Sequence, residues 1–239
     1  MSPQQLQLPD GSRIPYILQR RARRTVGLRI SAEGLVVNAP VRLSIKTLET
    51  MLLSKAGWIQ SKLQARQDHP APVMHWQSGA SVLLLGETLT LDIHNRPRQR
   101  QVQIDAGRLS VGVPDVEDTS AVARKVLLWY KQQAGQDFQR RLELYAARLG
   151  VPTPPLYLSN ARSRWGSCNS RGEVRLNWRL IQAPAHIINY VVCHELAHLK
   201  QMNHSPKFWA LVGSLYPDYK SAEHALKQMS AQLHVMSLG

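Results

Sequence analysis

Only two cysteines, Cys168 and Cys193, occur in 239 residues. That is too few for a disulfide framework, and each reads as a free buried thiol in a reducing compartment. No apolar run is long enough to span a bilayer, and the polar start "MSPQQLQLPDGSR" lacks the apolar stretch of a signal peptide. A cytoplasmic location is the expectation. No internal repeat, low-complexity tract or Gly-rich phosphate loop is present, which removes solenoids and P-loop nucleotide enzymes from consideration. Acidic residues are scarce, 16 against 30 Lys and Arg, for a formal charge of +14. Such an excess raises the local concentration of anionic partners, whether nucleic acid, nucleotides or acidic proteins. The densest clusters are "RRARR" (Arg20, Arg21, Arg23 and Arg24 around Ala22) and "RPRQR" (Arg96, Arg98 and Arg100). Trp and Tyr do not interleave with them, and no known nucleic-acid-binding module is recognisable.

What is there is the composition of a globular protein, 44% hydrophobic and 19% charged. "RTVGLRI", "SAEG" and "LVVNAP" predict a hairpin, and Ser44 predicts the cap of one amphipathic helix reaching about Gln67. After the connector "DHPAPVMHWQSG", four short alternating runs ("SVLLLG", "TLTLDIH", "RQVQID", "RLSVGV") predict more strands. The pattern then changes. From Ser120 to Leu149 apolar residues recur at helical spacing, with Gly135 as a possible bend and Gly150 as the stop. "NSRG" predicts a second hairpin turn, and residues 173–180 a strand with Val174, Leu176, Trp178 and Leu180 on its buried face. The reading is α+β: an antiparallel β-rich region over residues 1–116, then a mainly helical domain with a β-hairpin over 117–239.

Residues 194–204, "HELAHLKQMNH", put three histidines and one glutamate into eleven positions. The His-Glu-x-x-His pattern sets His194 and His198 one turn apart on one helix face, able to give two nitrogens to one zinc, with Glu195 as general base. By chance the pattern arises in about one such chain in a hundred, so the surroundings must decide. "AHIINYVVCHELAHL" is apolar almost all the way round, and a carboxylate buried there needs compensation, for which a divalent cation is suited. The bland alternative is a set of hydrogen-bonded histidines with Glu195 paired to Lys or Arg. A catalytic zinc takes three protein ligands and keeps one position open. His204 is the nearest third ligand. On an unbroken helix it would turn ~120° away from His198, so the helix must stop first. Asn203 tolerates a left-handed cap, and Ser205 with Pro206 starts a new helix. Glu223 is the rival, followed by His224 and His186.

"RSRWGSC", a hairpin ending in "LNWRL", and "HELAHLKQMNHSPKFW" together resemble the YgjP-like metallopeptidase domain, a relative of SprT-type zinc metalloproteases. The resemblance covers roughly residues 20–230. It implies a zincin-like fold for 117–239, Zn2+ held by His194, His198 and His204, and Glu195 as the catalytic base. The chemistry expected from the residues is metal-assisted hydrolysis. A peptide or protein substrate is the first reading, with an extended chain added beside strand 173–180. Candidate oxyanion donors are Arg164, Arg175, Tyr216 and Tyr219, while Trp165, Trp178 and Trp209 read as core or wall. A second class is phosphoanhydride hydrolysis on a nucleoside triphosphate, motivated by the charge. A third is a nucleic-acid-associated protease or a zinc-stapled binding protein, with Arg20, Arg21, Arg23 and Arg24 meeting the anionic partner.

Overall fold

Alternation along four strands near the start of the chain decides which of their side chains are buried. The structure, a computed structural model, describes residues 4–31, 34–68, 74–95 and 101–236. Strands β1 (Gln4–Gln7), β2 (Arg13–Arg21), β3 (Gly27–Ser31) and β4 (Gly34–Pro40) form one sheet in the order β1-β2-β4-β3. The β3–β4 hairpin is antiparallel as predicted, with Leu28 opposite Val37 and Ile30 opposite Leu35. Its turn residues 32 and 33 lie outside the described residues. β2 and β4 run parallel, so the sheet is mixed and not wholly antiparallel. Leu6, Ile14, Tyr16, Leu35 and Val37 share a core with Leu48, Leu52 and Ile59. Those last three come from two helices, α1 (Ile45–Leu53) and α2 (Ala56–Asp68), where the sequence predicts one. Ser54 Oγ donates back to the Met51 carbonyl, and the Lys55 N–H bonds to the Leu52 carbonyl, so a tight i−3 turn interrupts the helix.

The second compact unit spans residues 72–239, whereas the sequence reading divides the chain at 116/117. The reason is a shared core. Strands β5 (Ser81–Leu84), β6 (Glu87–His94), β7 (Gln103–Asp105) and β8 (Arg108–Gly112) form a sheet in the order β5-β6-β8-β7. Its Val82, Leu91, Leu109 and Val111 pack in one cluster with Val122, Val126 and Tyr130 of helix α3 (Thr119–Leu149). Tyr130 also donates its hydroxyl to the Leu83 carbonyl at 2.8 Å. Asp118 caps α3 by accepting from the Ala121 N–H, Gly135 leaves it unbroken, and Gly150 ends it with φ of 67°. The "RPRQR" cluster at Arg96–Arg100 lies outside the described residues.

Three further strands carry the site: β9 (Leu156–Ser159), β10 (Gly166–Cys168) and β11 (Val174–Asn177), in the order β10-β11-β9. The predicted hairpin joins β10 to β11, and Gly172 supplies its turn with φ of 77°. The strand expected over 173–180 stops at Asn177. There Asn177 accepts from the Arg179 N–H and starts a 3-10 helix, Trp178–Gln182. Helices α4 (Ala185–Ala197), α5 (Pro206–Leu215) and α6 (Tyr219–Leu233) complete the unit. The fold class is therefore α+β, with its helices concentrated in the C-terminal half. Among the described residues no helix is long and apolar enough to cross a membrane.

Candidate metal centre

Helix α4 buries almost every side chain, with Ile187, Ile188, Val192, Cys193, Leu196 and Ala197 fully enclosed. Into that apolar wall it sets His194 and Glu195, with His198 as the residue that caps it, and Glu195 is 5% and His198 8% exposed. The chain leaves the helix through tight turns in which Leu199, Lys200 and Gln201 donate back to Leu196 and Ala197 carbonyls. Asn203 does not adopt the left-handed cap the sequence suggested, because the turns at 198–201 have already ended the helix. Ser205 accepts from the Phe208 N–H and Pro206 opens α5, as predicted. His204 is thereby held on the short span between α4 and α5.

This brings three imidazoles to one point. One ligand nitrogen from each of His194, His198 and His204 lies within 4.8 Å of the others, and Nε2 of His204 is 3.1 Å from Nε2 of His194. His198 Nδ1 lies 3.1 Å from the Gln201 carbonyl oxygen. A carbonyl only accepts, so Nδ1 carries the proton and Nε2 keeps its lone pair for a metal. Burial pushes His194 down to about 4, with the neighbouring His198 and His204 adding to the shift. His198 is lowered too, chiefly by burial. An imidazole kept neutral in this way is in the state that ligates. His194 Nδ1 is buried without a hydrogen-bond partner among the described residues. Converging nitrogen donors of this kind fit a borderline divalent cation and not the hard ions that take oxygen ligands.

The rivals for third ligand are elsewhere. Glu223 is paired with Lys227 at 2.8 Å and His224 contacts Gln228, while neither these two nor His186 joins the imidazole group. Cys168 is also outside it. Both cysteines are free, and burial pushes the Cys193 thiol up to about 12.

Glu195 is held by an absence of side chain. A Cβ on Gly166 would lie 2.3 Å from Glu195 Oε1 and 2.6 Å from its Cγ, so only glycine lets the carboxylate rest against strand β10. Burial pushes Glu195 up to about 8, and the positive charge of Arg164 opposes the shift. Among the oxyanion candidates, Arg164 acts electrostatically on Glu195, and Tyr219 stacks at 5.3 Å on Trp209, which in turn touches His194 and His204. Arg175 is engaged with Glu173 and lies over the Tyr157 ring, and Tyr216 is raised by burial. Loop 160–165, which carries Arg164, is pinned by Asn177, whose amide donates to the Ala161 carbonyl, and by Asn160, which accepts from Trp178 and Arg179. Trp165 stacks on His234 at 4.6 Å.

Sequence reasoning missed Phe208, Gly166 and the Gln201 carbonyl. Phe208 is fully buried and its ring centre lies 4.6–4.9 Å from those of all three histidines. A glycine inside a short strand was the available signal for Gly166. The strand proposed to receive a peptide is also corrected: β11 is paired on both sides, by β10 and β9, so no chain can add to it. The edge of this sheet nearest Glu195 belongs to β10.

The sequence profile of the YgjP-like metallopeptidase domain matches residues 24–229. The chain belongs to this family. As a YgjP-like metallopeptidase-domain protein it is a metal-dependent hydrolase, and the family implies a divalent metal for the histidine cluster. Among curated proteins it is similar to the UTP pyrophosphatase of Escherichia coli strain K12, 29% identical over 116 residues, 46% of this chain and 70% of that protein. Among solved structures it is similar to the metallopeptidase zymogen abylysin of Pyrococcus abyssi, at 22% identity and a TM-score of 0.36. The zymogen jannalysin of Methanocaldococcus jannaschii follows at 17% and 0.35, and each covers 38% of this chain and 94% of its own.

Proposed function

We propose that the protein is a zinc-dependent hydrolase in which His194, His198 and His204 hold the metal, Glu195 is the general base and the substrate is a peptide. The observation that carries the reading is the convergence of three imidazole nitrogens within 4.8 Å beside a buried carboxylate. An all-nitrogen set with two ligands at i and i+4 suits zinc, which takes three protein ligands at a catalytic site. When bound, the ion supplies Lewis acidity to the attacking water and to the scissile group. Glu195 accepts the proton of that water and returns it to the leaving group. Burial raises its pKa in the metal-free chain, and the positive charge of a bound ion would favour the carboxylate form that accepts a proton. Arg164 offers positive charge where negative charge develops. The edge of β10 supports peptide binding, since an extended segment can add there by backbone hydrogen bonds.

A second reading, hydrolysis of a nucleoside triphosphate, is favoured by the similarity to a UTP pyrophosphatase and by the absence of any ion pair to Arg164 among the described residues. Metal content and turnover decide between these readings. Purified chain should carry about one zinc. His204→Ala should lose it and Glu223→Ala should keep it, and the reverse result refutes the ligand set. Glu195→Gln should retain zinc and fold but lose turnover by a factor of about 100 or more. A peptide library and a nucleotide panel including UTP, offered in parallel, separate the two substrate classes, and cleavage confined to nucleotides would replace the peptidase reading.

A further inference from the structure

The sheet of the first unit has two faces, and only one is covered by α1 and α2. Strand register defines the other. Pairing of Gln5 with Pro15 and Gln7 with Arg13, and of Ile17 with Val36 and Arg29, puts these residues on the face opposite Leu6, Tyr16 and Val37, where Val36 is itself buried and the polar residues around it form the surface. Gln19, Asn38 and Gly27 form the next row, and Arg21 with Pro40 the last. Arg13, Arg21 and Arg29 are all exposed. Arg23 joins them from the connection between β2 and β3, because a Cβ on Gly27 would meet its guanidinium at 2.9 Å.

What holds these arginines is neutral. Arg13 donates to Gln5 Oε1, Arg21 to Asn38 Oδ1 and Gln19 Oε1, and Arg23 to Thr25 Oγ1. Amide and hydroxyl oxygens orient a guanidinium without cancelling its charge. The four strands contain no Asp or Glu, and residues 1–71 as a whole hold eleven Lys and Arg against four Asp and Glu. Every ion pair among the described residues lies in the second unit. Arg20, by contrast, is turned to the covered side, where it donates to the carbonyls of Pro40 and Leu43 and braces the end of β4. It is therefore not part of the exposed set, although the sequence groups it with Arg21, Arg23 and Arg24.

We infer that this face is a docking surface for double-stranded nucleic acid, gripped through its phosphates without sequence preference. Along β2, Arg13 and Arg21 are eight residues apart, about 26 Å at strand rise, or about eight phosphates of one strand. The strands' one aromatic, Tyr16, is in the core, so the face offers no platform for stacking unpaired bases. Amides between the arginines donate and accept toward phosphate and sugar, a surface suited to positioning contacts and not to entry into lipid. This inference stands apart from the hydrolase reading.

The test uses the full chain and fluorescence anisotropy with a mixed-sequence duplex of about 20 base pairs, between about 50 and 200 mM salt. Replacing Arg13, Arg21, Arg23 and Arg29 by Gln should weaken binding at least tenfold at the upper salt. It should also flatten the slope of log affinity against log salt by about 3.6, or 0.9 per phosphate released. The pair Arg13→Gln/Arg29→Gln, which leaves the Arg21 and Arg23 bonds intact, should flatten it by about 1.8 and guards against misfolding of the fourfold variant. Arg124→Gln/Arg140→Gln, at positions ion-paired to Asp118 and Asp137, should change neither. Unaltered affinity and slope in both face variants overturn the proposal, as does binding to single strands or to anionic phosphatidylserine vesicles without binding to duplex.

Discussion

Glu195 is ionisable, deeply buried and one residue from His194, a proposed metal ligand, and its ordinary pKa of 4.5 rises to about 8 in the folded chain. The sign of the consequence follows from proton counting. Between pH 4.5 and 8 the folded, metal-free protein holds a proton that the unfolded chain has lost, so stability falls as pH rises through that window and levels off above it. Glu195→Gln removes this dependence. The metal-free Gln variant should therefore melt at a higher temperature than the metal-free wild type at pH 8, and at the same temperature near pH 4. Thermal melts in chelator at the two pH values measure it, and a wild type that is the more stable of the two at pH 8 would sink the idea. The motif itself was legible in eleven residues, but the proton on the carboxyl was not. Burial sets it, and burial is contributed by side chains distant in sequence.

At the scale of elements, the site is a contact between one helix and one strand edge. Helix α4 supplies Glu195, and β10 supplies Gly166, against which the carboxylate rests. A methyl group at Gly166 has no room and must push Glu195 from its position. Misplacement of a catalytic group by about 1 Å costs on the order of a hundredfold in rate. Gly166→Ala is expected to lower kcat by about that factor while zinc content stays at the wild-type value, because the side chain it displaces is Glu195 and not one of the three histidines. Steady-state kinetics with metal analysis on the same samples checks it. Wild-type kcat in the variant would mean that Glu195 has another resting place. The element types were largely readable from periodicity, including the long helix α3 and both hairpins. The break at Ser54 and the stop of β11 at Asn177 were not, since each depends on a side chain choosing a backbone partner over continuing the pattern.

For the whole molecule, the division at 71/72 gives two units with separate cores, one around Leu35, Val37 and Leu48, the other around α3 and α4. All residues of the candidate metal centre fall in the second. Residues 72–239 produced alone should bind the same amount of zinc per chain as the full protein and be stabilised by it. Melting of the truncated chain with and without chelator reads this out. Loss of metal binding on truncation would show that the first unit is needed to complete the centre.

Sequence alone pointed to the proposed ligands and base, because i and i+4 spacing on a helix and a Ser-Pro restart are local geometry that residues 194–206 carry by themselves. It also determined the net charge. Only the tertiary structure decided that Phe208 would wall all three histidines, that Gly166 would seat Glu195, and that β11 would be enclosed on both sides. The same holds for Arg20, which is one of a cluster of four arginines in the chain yet is spent on carbonyls at the end of β4. Strand alternation sends adjacent side chains to opposite faces, and which face is covered depends on helices that arrive later in the chain.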